Sequence, residues 1–423
     1  MRTSDRSPWA WVPTLYFVEG LPYFIVNTIS IVMFKDMGMD NGTLALVTSL
    51  IGLPWVIKPF WSPFVDILRS KRWWIITMQA VIAAAVALIA ARVTVFTVTL
   101  IFFVIAAFAS ATHDISADGF YMLALNEKKQ SAFVGIRNTF YRIAMVFGQG
   151  VIVVVAGLLE KRSGSVSTAW SITLLMTAAL LAALTVYHSF ALPRPAGDSY
   201  RKCGSAAVLF KEFGSAFASF FTKKGVWMAI AFMLLFRLPE ALSVKMLYPL
   251  FSDAREIGGL GFDKEAFGLV YGTFGVVALL AGGILGGLHI SRKGLKHCIL
   301  PMALALALPC CVYLIMSIMQ PGSLWLTGLF VVIDQFGYGY GFTAYTMYMI
   351  FFADGPLKTS HYAICTGFMA LSMMLPGLVA GYLQQWLGYT GFFVTVMICC
   401  LATIFVTLSA RRRLPSASTQ ELR

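Results

Sequence analysis

Residues 76–91, ITMQAVIAAAVALIAA, and residues 173–187, TLLMTAALLAALTVY, decide the fold class. Both are continuously apolar, without the apolar/polar alternation over about ten residues that marks a membrane-spanning β-strand. A helix needs roughly 20 apolar residues to cross a bilayer. Runs of this kind recur along nearly all of the 423 residues, of which 59% are hydrophobic and 12% charged, where a soluble domain carries roughly 25% charged residues. The chain reads as an all-α membrane protein, with the bilayer as its solvent and no stretch left for an independent soluble domain.

Hydropathy predicts twelve transmembrane helices, near 9–34, 42–61, 73–91, 95–126, 131–159, 167–190, 226–252, 266–289, 297–318, 324–350, 360–385 and 391–410. The start, MRTSDRSPWAW, has a basic flank but the apolar run after it lacks a small-residue cleavage site, so it is expected to be the first span and not a signal peptide. With both termini placed in the cytoplasm, 21 of the 32 Lys and Arg residues fall in inside loops and 6 outside, the other five lying within spans. Excess basic charge on the cytoplasmic side sets this orientation. It also accounts for the net charge of +13 without a nucleic-acid partner, since that would require the charge to cluster on one solvated face.

The longest loop, 191–225, contains SAAVLFKEFGSAFASFF, where Ala206, Phe210, Phe213, Phe217 and Phe220 recur at helical steps. It is expected to form an interfacial amphipathic helix. The domain organisation is therefore an N-terminal six-helix half (1–190), this linker (191–225), a C-terminal six-helix half (226–410) and a basic cytoplasmic tail (411–423). The halves echo one another. Gly20-Leu21-Pro22 returns as Arg237-Leu238-Pro239, Arg69-Ser70-Lys71-Arg72 as Ser291-Arg292-Lys293-Gly294, and Asp114 as Asp334, at offsets of 217, 222 and 220. Two parallel six-span repeats around a central cavity are the plan of the major facilitator superfamily.

Charges within spans are costly enough to be functional candidates. Asp114 lies 12 residues before the loop residue Asn126 and Arg142 lies 11 after Ser131, while Asp118 and Arg137 are 8 and 6 residues from the same loop. Counting depth this way matches Asp114 with Arg142 and Asp118 with Arg137 on adjacent antiparallel helices, with Tyr141 on the Arg137 face. Such pairs either neutralise one another and lock the helices, or open on protonation or substrate binding. Glu19 precedes Gly20-Leu21-Pro22, where unwound backbone could line a cavity, and is a proton-coupling candidate with Asp114, Asp118 and Asp334. Lys58 is a further charge inside span two.

Span ten carries Asp334, Gln335, Tyr338, Gly341, Tyr345 and Tyr348, a polar-aromatic face suited to sugar rings or to close helix packing. In span seven Arg237 and Glu240 are three apart, with Lys245 further along. Arg142, Arg137, Arg237 and Lys245 together could hold an anion. The substrate-binding candidates are these four with Tyr141, His113, Glu240, Gln335, Tyr338 and Tyr345. His113 is either a proton shuttle or a hydrogen-bonded packing residue. Asp66 with Arg69 and Arg72, at the cytoplasmic end of span two, are the gating candidates. The seven cysteines have no metal-ligand spacing. No catalytic residues, metal or cofactor are expected, and without a Walker A sequence the energy source is a gradient.

Phe17-Val18-Glu19-Gly20-Leu21-Pro22, the run 58–66 (KPFWSPFVD), His113-Asp114-Ile115-Ser116-Ala117-Asp118, Tyr141-Arg142-Ile143-Ala144-Met145, Ser360-His361-Tyr362-Ala363 and the run 376–381 (PGLVAG) make the chain resemble the AmpG-like muropeptide permease family of the major facilitator superfamily. That resemblance implies proton-coupled import of anhydro-muropeptides, or a related acidic amino sugar, across the bacterial inner membrane during peptidoglycan turnover. It singles out Asp114, Asp118 and Arg142, and implies a multi-pass monomer whose partners are a small-molecule substrate, protons and the lipid bilayer. Glu19 and His113 depart from the residues that family more usually carries. The alternative from the residues is a proton-coupled exporter of siderophores, drugs or other small molecules. A membrane sensor or an intramembrane enzyme fits less well, for want of a signalling appendage or a catalytic constellation.

Overall fold

The computed structural model describes residues 6–62, 65, 68–125, 127–195, 198, 206–355 and 358–414, and every element among them is helical. Ten helices are long and apolar enough to cross a membrane. One of the ten is two spans, because Gly388 takes φ 67° and ψ 177° in the middle of Lys358–Arg411, a conformation that glycine alone adopts without strain. Leu324–Ala353 adds another: it has 30 residues but is diluted by Asp334, Gln335 and its glycines and tyrosines. The described residues thus hold the twelve spans read from the sequence. They are α1 (Pro8–Asp36), α2 (Asn41–Phe60), α3 (Lys71–Ala91), α4 (Phe96–Ala124), α5 (Gly135–Ser163), α6 (Val166–Ala191), α7 (Val226–Ser252), α8 (Lys264–Lys293), α9 (Leu295–Met319), α10 (Leu324–Ala353), α11 (358–387) and α12 (389–411). A separate linker helix runs over Ala206–Phe221. Its Phe220 is buried, and the side chains of Ala206, Phe210 and Phe213 lie outside the described residues.

The span ends follow from local chemistry. Asp40, Ser70, Ser165, Asp263 and Ser323 each stand before a helix and accept a hydrogen bond from the amide three residues on, satisfying a donor that has no partner within the helix. Gly164 and Gly294, both at positive φ, end α5 and α8. Burial is arranged for lipid: on α12, Ile398, Leu401, Phe405 and Leu408 are 61%, 66%, 67% and 41% exposed, while Val396, Cys400, Thr403 and Thr407 on the opposite face are buried. An apolar stripe of this size is a liability in water and the solvated face in a bilayer.

The chain forms two compact units, one of Met1–Met37 with Ile57–Glu212 and the other of Gly38–Val56 with Phe213–Arg423. In the first, α1 packs on α5 through Gly20, where a methyl group would stand 3.0 Å from the Ala144 side chain and 3.1 Å from the Tyr141 carbonyl. Contrary to the expected unwinding at Gly20-Leu21-Pro22, α1 stays helical through Pro22 and loosens instead into one π turn at Ile25–Ile29. The counterpart in the second unit does break: α7 is interrupted at Phe236–Arg237, with Pro239 in the first turn of the segment Leu238–Ser252.

In the second unit α8 and α10 touch backbone to backbone. A methyl group on Gly282 would strike the Phe336 carbonyl, and one on Gly339 the Leu279 carbonyl, the close approach that small residues permit between helices in lipid. Gly339→Ala is therefore expected to lower the thermal unfolding midpoint in detergent, at an overpacking cost of about 1–3 kcal/mol. Gly287→Ala, which meets nothing within 4 Å, should leave the melt unchanged or raise its midpoint.

Candidate functional site

In the first unit the intramembrane charges converge from α1, α2, α4 and α5. The last turn of α2 is a 3-10 turn, Lys58–Phe60, with Pro59 following the lysine. From it the Lys58 ammonium reaches the Asp114 carboxylate on α4 in an ion pair. One helical turn along α4, Asp118 pairs with Arg137 of α5 at 2.9 Å and accepts from the Tyr16 hydroxyl of α1 at 3.1 Å. The Arg137 guanidinium lies 4.6 Å from the centre of the Tyr16 ring and 5.6 Å from that of Tyr121, so aromatic faces as well as a carboxylate hold it. Glu19, one turn along α1 from Tyr16, is 7% exposed and its Oε2 has no hydrogen-bond partner among the described residues.

Depth counting anticipated Asp118 with Arg137, and the structure brings them together. It does not join Asp114 to Arg142: Lys58 takes Asp114, and Arg142 instead directs Nη1 at the Met145 sulfur, 3.8 Å away. Tyr141, half-buried, sets its ring edge-on to Phe24 at 5.7 Å. His113 is fully enclosed and belongs to a chain that the sequence reading missed. Gln79 of α3 bridges His113 and His188 of α6, each at 2.9 Å, and His188 reaches the Thr14 hydroxyl at 2.9 Å. The signal for it was present: Gln79 is the lone amide in the otherwise apolar run 76–91.

At the start of α3, Asp198 accepts from the backbone amides of Lys71 and Arg72 at 2.7 and 3.0 Å. The Arg72 guanidinium donates to the carbonyls of Ser189 and Leu192 at the end of α6. Arg69 stacks over Trp73 at 5.8 Å. Asp66, the third gating candidate, lies outside the described residues.

In the second unit Arg237 sits at the break in α7. It grips Glu240 with two hydrogen bonds, 2.9 and 3.1 Å, and donates to the Tyr338 hydroxyl at 2.9 Å. Phe342 and Tyr345 of α10 cover it, with ring centres at 4.8 and 5.9 Å. Tyr345 is fully buried and donates at 2.7 Å to the Met233 carbonyl, the group whose usual partner, the Arg237 amide, the break removes. Asp334 accepts from Tyr313 at 2.6 Å and from Gln335 at 2.9 Å. Lys245 is 7% exposed, and its one hydrogen bond goes to the Thr48 hydroxyl at 3.3 Å. A polar knot that the sequence did not suggest joins Asn41 to Gln384, Tyr389 and Asp253 at 2.7, 3.2 and 3.3 Å. Among the described residues no group of His, Cys, Asp and Glu is placed to hold a metal ion.

Residues 14–359 match the family model described as Major Facilitator Superfamily. The chain is similar to the anhydromuropeptide permease of Escherichia coli (strain K12), 22% identical over 408 residues that cover 95% of this chain and 79% of that protein. Among solved structures it is similar to the D-xylose-proton symporter, with a TM-score of 0.71, 12% identity and coverage of 96% and 98% of the two chains. It is also similar to the nucleoside transporter NupG, with a TM-score of 0.68, 16% identity and coverage of 96% and 98%. At such identities these two structures speak for the fold alone.

The Lys58–Asp114 pair has a test independent of any substrate. Lys58→Met and Asp114→Asn are each expected to lower the unfolding midpoint, because each leaves one charge in the membrane without its partner. The double variant should be more stable than the sum of the two losses implies, with a coupling of about 0.5–3 kcal/mol. Thermal melts of the four proteins in one detergent close the cycle.

Proposed function

The chain belongs to the major facilitator superfamily, and from that premise we propose that this transporter carries anhydro-muropeptides or related acidic amino sugars inward together with protons, by alternating access. The observation that carries the coupling is the carboxyl cluster of the first unit. Glu19, Asp114 and Asp118 are three acids set against two cations, Lys58 and Arg137, and the acid that no cation pairs with among the described residues is Glu19. One proton balances the cluster, and Glu19 is where it sits in this conformation, since a bare carboxylate with a buried unpaired oxygen is strongly disfavoured there. Loss of that proton leaves one negative charge in excess, which competes for Lys58 and Arg137 and loosens their pairs. Proton transfer is thereby tied to movement of α1, α2, α4 and α5 against one another.

The substrate class draws on the permease relative and on the basic and aromatic side chains that the sequence nominated. Arg142 and Lys245 are directed to acidic groups of the cargo, and Tyr338 with Gln335 to its hydroxyls. The setting that fits is the inner membrane of a bacterium, with both termini cytoplasmic and the protein working as a monomer. Asp66, Arg69 and Arg72 are assigned to the cytoplasmic gate, with Arg72 holding α3 to α6.

Proteoliposomes loaded at high internal pH are expected to accumulate labelled anhydro-muropeptide, and a protonophore to abolish the accumulation. Glu19→Gln should retain exchange of labelled for unlabelled substrate across the membrane while losing accumulation. Asp118→Asn should lower both, because it also frees Arg137. Wild-type accumulation that ignores the protonophore would sink the coupling, and outward flux of a siderophore or drug without muropeptide uptake would replace import by export.

A further inference from the structure

The sequence nominates four cations for the anionic part of a cargo, and the structure separates them. Arg137 is neutralised by Asp118 and Arg237 by Glu240 in a two-bond grip. Arg142 is only half-buried, so water can solvate it. Lys245 is different. Its ammonium carries three donors, belongs to a residue that is buried, and meets no carboxylate among the described residues, only the Thr48 hydroxyl. That hydroxyl donates in turn to the Leu44 carbonyl at 2.7 Å, so toward Lys245 it acts as an acceptor.

The neighbouring residue supplies a second group of the same kind. Ser49 is 2% exposed and its Oγ has no hydrogen-bond partner among the described residues. The ammonium stem and this hydroxyl meet at Gly377 of α11, where a methyl group would stand 3.1 Å from Lys245 Cε and 3.3 Å from Ser49 Cβ and would strike Ser49 Oγ. A buried amine with unused donors and a buried hydroxyl with an unused donor, both packed onto the open face of Gly377, form a polar pair whose donors lack an anion. A carboxylate is the complement: one oxygen for the ammonium and one for the hydroxyl, in charge-assisted hydrogen bonds.

We propose that Lys245 and Ser49 form the subsite that takes a carboxylate of the transported molecule, with Gly377 letting the two side chains meet. The inference rests on the reading of the cargo as an acidic amino sugar and gives that cargo's acid its place.

Two probes separate the subsite from the cargo. Sodium lactate, at ionic strength matched with sodium chloride, is the bare anion. It should raise the unfolding midpoint of the purified wild-type protein, by preferential binding to the folded state, and of Lys245→Arg. It should leave Lys245→Met unmoved and shift Ser49→Ala less. Lys245→Met removes an uncompensated buried charge, so it should fold as well as the wild type, and its lack of response cannot be laid to misfolding. The second probe is a pair: N-acetylmuramic acid and N-acetylglucosamine differ by the lactyl carboxylate. Wild-type protein is expected to bind the acid at least tenfold more tightly, and Lys245→Met to bind the two alike. A wild-type protein indifferent to lactate, or a Lys245→Met variant that responds as the wild type does, overturns the subsite. If lactate acts through Lys245 but neither sugar nor the anhydro-muropeptide binds, the subsite stands and the proposed cargo falls.

Discussion

A charge inside the membrane must find its counter-charge in the protein, and much of this fold is arranged around that requirement. Lys58 ends α2 on a 3-10 turn and Arg137 lies one helical turn before Tyr141 on α5. Each meets a carboxylate of α4, and the two carboxylates are four residues apart. The ion pairs therefore bind three helices at two successive turns. Removing one member of such a pair leaves the other only partly solvated, since the side chains are 23–42% exposed, so each pair is worth more than one at an open surface and less than one sealed in lipid.

The same economy governs the backbone. A carbonyl or amide freed by a proline inside a membrane helix has to be satisfied nearby. In α7 the break at Arg237 frees the Met233 and Leu235 carbonyls, and the hydroxyls of Tyr345 and Thr403 take them up. In α1 the matching Gly20-Leu21-Pro22 has no such liberty, because Gly20 is pressed against the Ala144 side chain and the Tyr141 carbonyl of α5. There the distortion moves onward to the π turn at Ile25–Ile29, where the helix can widen without separating from its neighbour. Two related tripeptides thus give one break and one bulge, and the difference lies in what packs against them.

This contrast also marks what the sequence could and could not say. The spans were legible because bilayer thickness imposes a length and an apolar composition, and their ends because Ser, Asp and Gly cap helices by chemistry that acts within a few residues. Asp118 with Arg137 was legible because counting from a shared loop fixes depth. Depth says nothing of direction around the helix axis, so the same counting assigned Asp114 to Arg142 when the non-α end of α2 delivers Lys58 to it. The chain from His113 through Gln79 to His188 joins α4, α3 and α6, and the knot around Asn41 joins residues more than 200 positions apart. Neither leaves a periodicity in the sequence, since each depends on which helix faces touch.

Charge pairing differs between the two units in a way that bears on transport. The first holds Glu19 as a carboxyl that no described cation pairs with, its Arg142 turning instead to the Met145 sulfur, and the second holds Lys245 apart from any described acid while its Asp334 is met by Tyr313 and Gln335. On the reading proposed for each, a proton on Glu19 completes the first and a cargo carboxylate on Lys245 completes the second. Each ligand then supplies the partner that its site lacks. A transporter built this way is least strained when both sites are filled, and a half-filled state leaves one buried group without its partner. Each ligand relieves its own site independently, so on the proposed reading proton and acid are coupled only through the alternation between conformations that both sites bias.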